Sequence, residues 1–206
     1  MSEPPKTVLE VSPAEAEAIR TAVRAADPAG FESGRALAVD SDALELTDLL
    51  SDPRVSGPIY DLPKPIDLAG VSAWLADGEA CRRRGEGLLI VTRDGEGALS
   101  GYSRITVWPE RSAAELAGAI RADRQNAGQG GAGAWRTIGW MFDTLGVRLI
   151  CLTAAVDNVR SARLIEAMGF VRLGDRDAVA PDGAVRPSLY WEMTREAWRG
   201  VSGSSA

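Results

Sequence analysis

The stretch NAGQGGAGAWRTIGWMFDTLGVRLICLTAAVDNVRSARLIEAMGF, residues 126–170, decides how this chain is read. It opens on a glycine-rich run, with Gly128, Gly130, Gly131 and Gly133 close together. Trp135, Ile138, Phe142 and Leu145 then recur every three or four positions, as one face of a helix requires. Gly146 is a helix stop. Residues 147–155 form an apolar run of strand length, and Asp157-Asn158 starts a second helix that ends at Gly169, with Phe170 beyond. The predicted order is glycine loop, helix, strand, helix.

Such a loop has a physical use. Residues without a Cβ let a ligand approach the backbone. The first helical turn carries N–H groups without internal partners, and the helix dipole favours negative charge there. Together they can cradle a phosphate or pyrophosphate; a flexible linker is the plainer alternative. No Lys-Ser or Lys-Thr follows the glycines, which excludes a nucleoside-triphosphate loop. Gly128, Gly130 and Gly133 match the dinucleotide pattern G-x-G-x-x-G. However, residues 121–125 before them are polar rather than a buried strand, and no acidic residue ends a strand about twenty positions on.

Residues 127–132 more closely resemble the coenzyme A pyrophosphate loop of the GNAT N-acetyltransferase superfamily. Gly130 and Ala132 match that motif, and Ala127 departs from its usual Gln or Arg, as in the RimJ/RimL-type branch. Asn158, Ser161, Leu164, Gly169 and Phe170 resemble that branch's second motif, 30 residues after Gly128. The resemblance covers residues 31–199. It implies an α/β (α+β) GNAT fold: a mixed, mainly antiparallel sheet of six to seven strands flanked by helices, with an extra N-terminal helix. The expected organisation is an N-terminal extension (1–30), the acetyltransferase domain (31–199) and a flexible tail (200–206).

The 206 residues suffice for one domain with a sizeable core. No run of about 18 apolar residues predicts a membrane span, and residues 1–10 lack the features of a secretory signal. Cys81 and Cys151 read as reduced thiols of a cytoplasmic protein. The net charge of −6 disfavours stable nucleic-acid binding and suits an amine substrate, although acidity for solubility is the simpler account. The absence of histidine excludes a Ser-His-Asp triad, and no metal is expected.

Residues 1–11 are expected to be loose. Ser12, Pro13 and Glu15 start a helix whose stripe is Ile19, Val23 and Ala26, a packing or dimerisation element. Residues 35–39 read as a strand and 43–50 as a helix stopped by Pro53. The proline-rich residues 55–65 are loop, where Tyr60 and Asp61 either meet substrate or are solvated. Asp67 caps a helix ending at Arg82-Arg83-Arg84, an anion site or simply cations favoured at a helix C-terminus. Strands are expected at 87–92, 98–108 and 113–121, then after the second helix at 171–174 and 187–194, with a turn at Pro181-Asp182-Gly183.

The resemblance also implies the chemistry: acetyl transfer from acetyl-CoA to a primary amine, either a protein N-terminal amine or a small molecule. The implied pyrophosphate site is the backbone of Ala127, Gly128, Gln129, Gly130, Gly131, Ala132 and Gly133. Arg124 is a further phosphate candidate or a surface arginine. The implied pantetheine partners are the backbone of Ala119, Ile120 and Arg121, together with Asn158. An α-amine has a pKa near about 7.7 and a lysine near about 10.4, so the acceptor must lose a proton before it attacks. Glu115 is the candidate base, or an exposed strand residue. The position where many relatives carry an acid tyrosine is Ile165, and Ser161 stands where the branch has a serine near the sulfur. Asn158 and Ser161 are equally suited to capping a helix. The alternatives are a non-catalytic acyl-CoA-binding regulatory domain or a nicotinamide-dependent enzyme. A homodimer through the N-terminal helix is an open expectation.

Overall fold

A computed structural model describes residues 3–125, 129–180 and 183–203. Seven strands pair into one sheet in the order β1-β2-β3-β4-β5-β7-β6. They are β1 (Arg35–Leu37), β2 (Gly87–Arg93), β3 (Leu99–Trp108), β4 (Ala113–Ile120), β5 (Leu149–Ala155), β6 (Val171–Val179) and β7 (Val185–Thr194). Every pairing is antiparallel except β4 with β5. That parallel pair requires a crossover, which the helix after the glycines supplies.

The alternation of side chains along each strand sorts them onto two faces. Leu88, Ile90, Ile105, Val107, Ala114, Ile150, Leu152, Trp191 and Met193 form one core with α1 (Pro13–Ala25), α6 (Gln129–Trp140), α7 (Val159–Ala167) and α8 (Arg195–Gly203). Leu89, Val91, Leu99 and Tyr102 form the other with α3 (Ala43–Ser51), the short α4 (Pro53–Ser56) and α5 (Leu68–Arg84). The four-residue α2 (Pro28–Phe31) leads from α1 into β1.

Helix ends follow their expected chemistry. Ser12 and Asp67 accept backbone N–H bonds as N-caps of α1 and α5. Gly85, at φ 77°, ends α5 in the left-handed conformation that other residues rarely adopt. The arginines before it are spent locally: Arg82 pairs with Glu79 and bonds the Arg24 carbonyl, and Arg84 pairs with Glu86. The helix-end reading of this cluster therefore fits.

Several segments depart from expectation. The α1 stripe of Ile19, Val23 and Ala26 is buried in the chain's own core, so this stripe is spent on packing within the chain. Residues 3–7, expected to be loose, are pinned: Pro5 is buried, and Arg111 Nη2 donates to the Pro5 carbonyl at 2.9 Å. β6 runs to Val179 rather than stopping at Gly174. As an edge strand it is mostly exposed and carries Arg172, Asp175, Arg176 and Asp177, so no hydrophobic alternation betrays it. Pro181 and Asp182 of the expected turn lie outside the described residues. The expected tail at residue 200 is instead helix as far as Gly203, anchored by Trp198, whose ring lies 3.9 Å from Trp135.

Candidate active site

β4 and β5 pair only at Ala113↔Leu149, Ala114↔Ile150 and Glu115↔Cys151. Beyond these pairs β4 continues to Ile120 along β3, and β5 continues to Ala155 along β7. The two parallel strands therefore part toward their C-terminal ends. α7 begins four residues past β5, and α6 begins nine past β4. The start of α6 lies past one strand of the gap, where first-turn N–H groups lack helical partners; at α7 the Val159 N–H is bonded to the Asp157 carbonyl and the Ser161 N–H to the Asn158 side chain.

The glycines differ from expectation in one respect. Helix α6 already starts at Gln129, so Gly130, Gly131, Ala132 and Gly133 form its first turns rather than a preceding loop. Ala127 and Gly128 lie outside the described residues. A Cβ on Gly131 would stand 2.9 Å from Leu164 Cδ1 in the second half of α7, so the bare glycine lets the start of α6 lie close to that helix. Thr137 Oγ1 donates to the Gly133 carbonyl and accepts from buried Arg35, tying this end of α6 to β1. Arg124 is engaged elsewhere, with Asp94 at 2.6 Å.

Backbone direction sorts the residues expected to meet pantetheine. The Arg121 N–H donates to the Ser100 carbonyl, away from the gap. The Ala119 carbonyl also points to β3, since a Cβ on Gly101 would meet it at 2.5 Å. Direction alternates along a strand, so Leu116, Gly118 and Ile120 turn their backbone groups toward the gap. Of the expected set Ala119, Ile120 and Arg121, only Ile120 faces it. The Ile120 carbonyl also accepts from Gln125 Nε2 at 3.0 Å.

At the vertex, Glu115 is buried on the sheet face opposite the α6 core. Its Oε1 accepts a bond of 2.8 Å from Thr153 Oγ1 of β5. Tyr60, from the loop after α4, completes a cavity of about 60 Å³ whose lining includes Glu3, Glu115, Thr153, Arg176 and Asp177. Burial first, then the charges of Glu115 and Asp61, push the Tyr60 phenol up to about 12, against a smaller opposing effect of its contact with Thr153. Tyr60 thus remains a neutral hydrogen-bond donor. Asp61 instead lies 4.0 Å from Arg104. Burial, then Glu115, raises the Cys151 thiol well above its ordinary range, which keeps it un-ionised.

Asn158 is the N-cap of α7, its Oδ1 accepting from the Ser161 N–H at 3.1 Å. The capping role is present, and the pair sits where the gap opens. Sequence reasoning missed Thr153 and the β6 residues of the cavity. Thr153 is the one hydroxyl in the otherwise apolar β5, a signal that was available. Arg176 and Asp177 carry no such signal, because exposed, charged β6 shows no hydrophobic alternation past Gly174.

The model of the family described as "Acetyltransferase (GNAT) domain" matches residues 35–171. The chain belongs to the GNAT acetyltransferase family. Among solved structures, it is similar to a ribosomal-protein-S5-alanine acetyltransferase from Vibrio fischeri at 19% identity and TM-score 0.66, covering 80% of this chain and 93% of that one. It is also similar to a probable acetyltransferase at 18% identity and TM-score 0.69, over 82% and 97%. The aminoglycoside acetyltransferase AAC(6')-Ib in complex with coenzyme A matches at 20% identity and TM-score 0.63, over 82% and 98%. At these identities the likeness is one of fold. No curated protein sequence matches.

As a family member the chain is an acetyl-CoA-dependent N-acetyltransferase with a seven-stranded, mainly antiparallel sheet. The fold suits the co-substrate: β4 backbone groups face an open gap, and glycine-rich α6 offers N–H groups without side chains in front of them. Among the described residues no cluster of side chains could hold a metal, and no helix is long and apolar enough to cross a membrane.

Proposed function

We propose that this enzyme acetylates a primary amine, a protein N-terminal amine or a small-molecule amine, with Glu115 as the general base. The observation that carries the reading is the buried Glu115 carboxylate, fixed by Thr153 at the point where β4 and β5 part, inside a cavity. Acetyl-CoA supplies the acetyl group as an activated thioester. Glu115 takes the proton from the acceptor ammonium, and the freed nitrogen lone pair attacks the thioester carbonyl carbon. The C–N bond forms, the C–S bond breaks, and the departing thiolate takes up the second proton, which the nitrogen loses on becoming an amide.

In this reading the backbone of α6 at residues 129–133 holds the pyrophosphate, with Ala127 and Gly128 leading into it. Leu116, Gly118 and Ile120 offer pantetheine the strand edge, and Asn158 and Ser161 border it from α7. Free Cys81 and Cys151 fit a reducing, cytoplasmic setting. The test is a thermal-shift titration with acetyl-CoA, followed by a free-thiol assay across amines and N-terminal peptides. Stabilisation by acetyl-CoA and thiol release with at least one amine are expected. Stabilisation without any turnover would leave an acyl-CoA-binding regulator instead.

A further inference from the structure

Residues 3–7 cross the sheet face that holds Glu115, and they are held there by side chains far away in sequence. The Lys6 N–H donates to Tyr190 Oη at 3.3 Å, and the Thr7 N–H to Glu192 Oε1 at 3.1 Å. Arg176 donates to the Glu3 and Pro4 carbonyls, each at 3.1 Å. Arg111 donates to the carbonyls of Pro5 and Thr7. Lys6 Nζ reaches the Leu173 and Asp175 carbonyls. Both β6 and β7 thus grip the segment by its main chain.

This anchoring brings Glu3 into the lining of the cavity that contains Glu115, Thr153 and Tyr60. Among the described residues the same lining carries Asp177 and one cation, Arg176, while Arg186 stands 5.0 Å from the ring of Tyr60. Arg176 is already committed. Its guanidinium lies 4.0 Å over the Tyr190 ring, bonds two carbonyls of the segment and stands 3.7 Å from the Glu3 carboxylate. The wall built by residues 3–7 therefore adds a carboxylate, 3.7 Å from Arg176, to the cavity that holds the base.

We propose that residues 3–7 form one wall of the acceptor pocket and that Glu3 is its specificity-determining residue, favouring acceptors with a second positive charge beside the reacting amine. The inference rests on the reading of Glu115 as the base, because that reading makes this cavity the acceptor pocket. Glu3 is largely exposed, with 67% of its side chain accessible. Its charge is therefore screened by solvent, and its effect is a preference rather than a requirement.

The test uses the full chain and two amines with the same carbon chain, butylamine and 1,4-diaminobutane. The ratio of kcat/KM for the diamine to that for the monoamine is measured in the wild type, Glu3→Gln and Glu3→Lys. The expected result is a ratio reduced roughly threefold by the first substitution and roughly tenfold by the second. The affinity of 1,4-diaminobutane in the presence of coenzyme A, measured by calorimetry, is expected to fall in the same order. Ratios and affinities that ignore both substitutions would overturn the role of Glu3, as would a wild type that binds no diamine. Diamine binding that depends on Glu3, without turnover of any amine, would keep the role of Glu3 and remove the proposed reaction.

Discussion

Thr153 Oγ1 donates a 2.8 Å hydrogen bond to Glu115 Oε1 between two strands that have just ceased to pair. The donor is on β5 and the acceptor on β4, so the bond fixes the carboxylate from across the gap. A hydroxyl can donate here and still accept on its own oxygen, which leaves it open to the neighbouring Tyr60 phenol.

Removing the carboxylate separates chemistry from binding. Glu115→Gln is expected to lower kcat by about 10²- to 10⁴-fold, the usual contribution of a positioned general base. Acetyl-CoA affinity, measured by calorimetry, should change little. Retention of wild-type kcat would exclude Glu115 as the base.

Thr153→Val is expected to lower kcat roughly tenfold, the loss of one hydrogen bond to a charged group. Thr153→Ser keeps the hydroxyl and should restore most of the rate. If serine fails where threonine works, the methyl group rather than the hydrogen bond matters.

Gly130→Asp should abolish acetyl-CoA binding, because a carboxylate would stand at the start of α6 where negative charge is to be received. Calorimetry reads this directly, and unchanged affinity would move the pyrophosphate away from α6.

At α7 the two neighbouring polar residues should behave differently. Asn158→Ala removes the cap on Ser161 N and is expected to cost about 1 kcal/mol of stability, seen as a lower Tm. Ser161→Ala should lower kcat more than it weakens acetyl-CoA binding. Equal kinetics for Ser161→Ala and the wild type would confine Ser161 to the helix start.

All three tyrosines are held above their ordinary range, with burial the first cause in each: Tyr60 at about 12, Tyr102 and Tyr190 higher still. The unfolded chain therefore releases these protons first as pH rises. It binds fewer protons than the folded chain above about pH 10, so stability falls there and is intact below. Absorbance at 295 nm should show tyrosinate appearing together with loss of the far-ultraviolet circular dichroism signal. Titration of a tyrosine well before unfolding would contradict this coupling.

What was legible in the sequence was local. Ser12, Asp67 and Asn158 were readable as helix starts because a cap and its helix are neighbours in the chain. The order of α6, β5 and α7 followed from apolar spacing and glycine stops. Glu115 could be picked as a candidate, but its partner could not, since Thr153 lies 38 residues on and meets it only through the parallel pairing. The Arg121 and Ala119 backbone directions depend on which strand lies on which side of β4, information that no local pattern contains. The grip of Arg111, Arg176, Tyr190 and Glu192 on residues 3–7 spans more than a hundred positions, so a polar, proline-containing start looked loose.

Among the described residues, β1–β4 and β5–β6–β7 pair at only three positions, extended by the Ser112 carbonyl, which accepts from the Arg148 and Leu149 N–H groups. Ala113 and Ala114 carry the β4 side of that joint with small, fully buried side chains, opposite the larger Leu149 and Ile150 of β5. The sheet is thus two half-sheets joined by a short seam and by the core they share. A molecule that bonds the facing edges of β4 and β5 would act as the missing strand between them, joining two half-sheets into one cooperative unit.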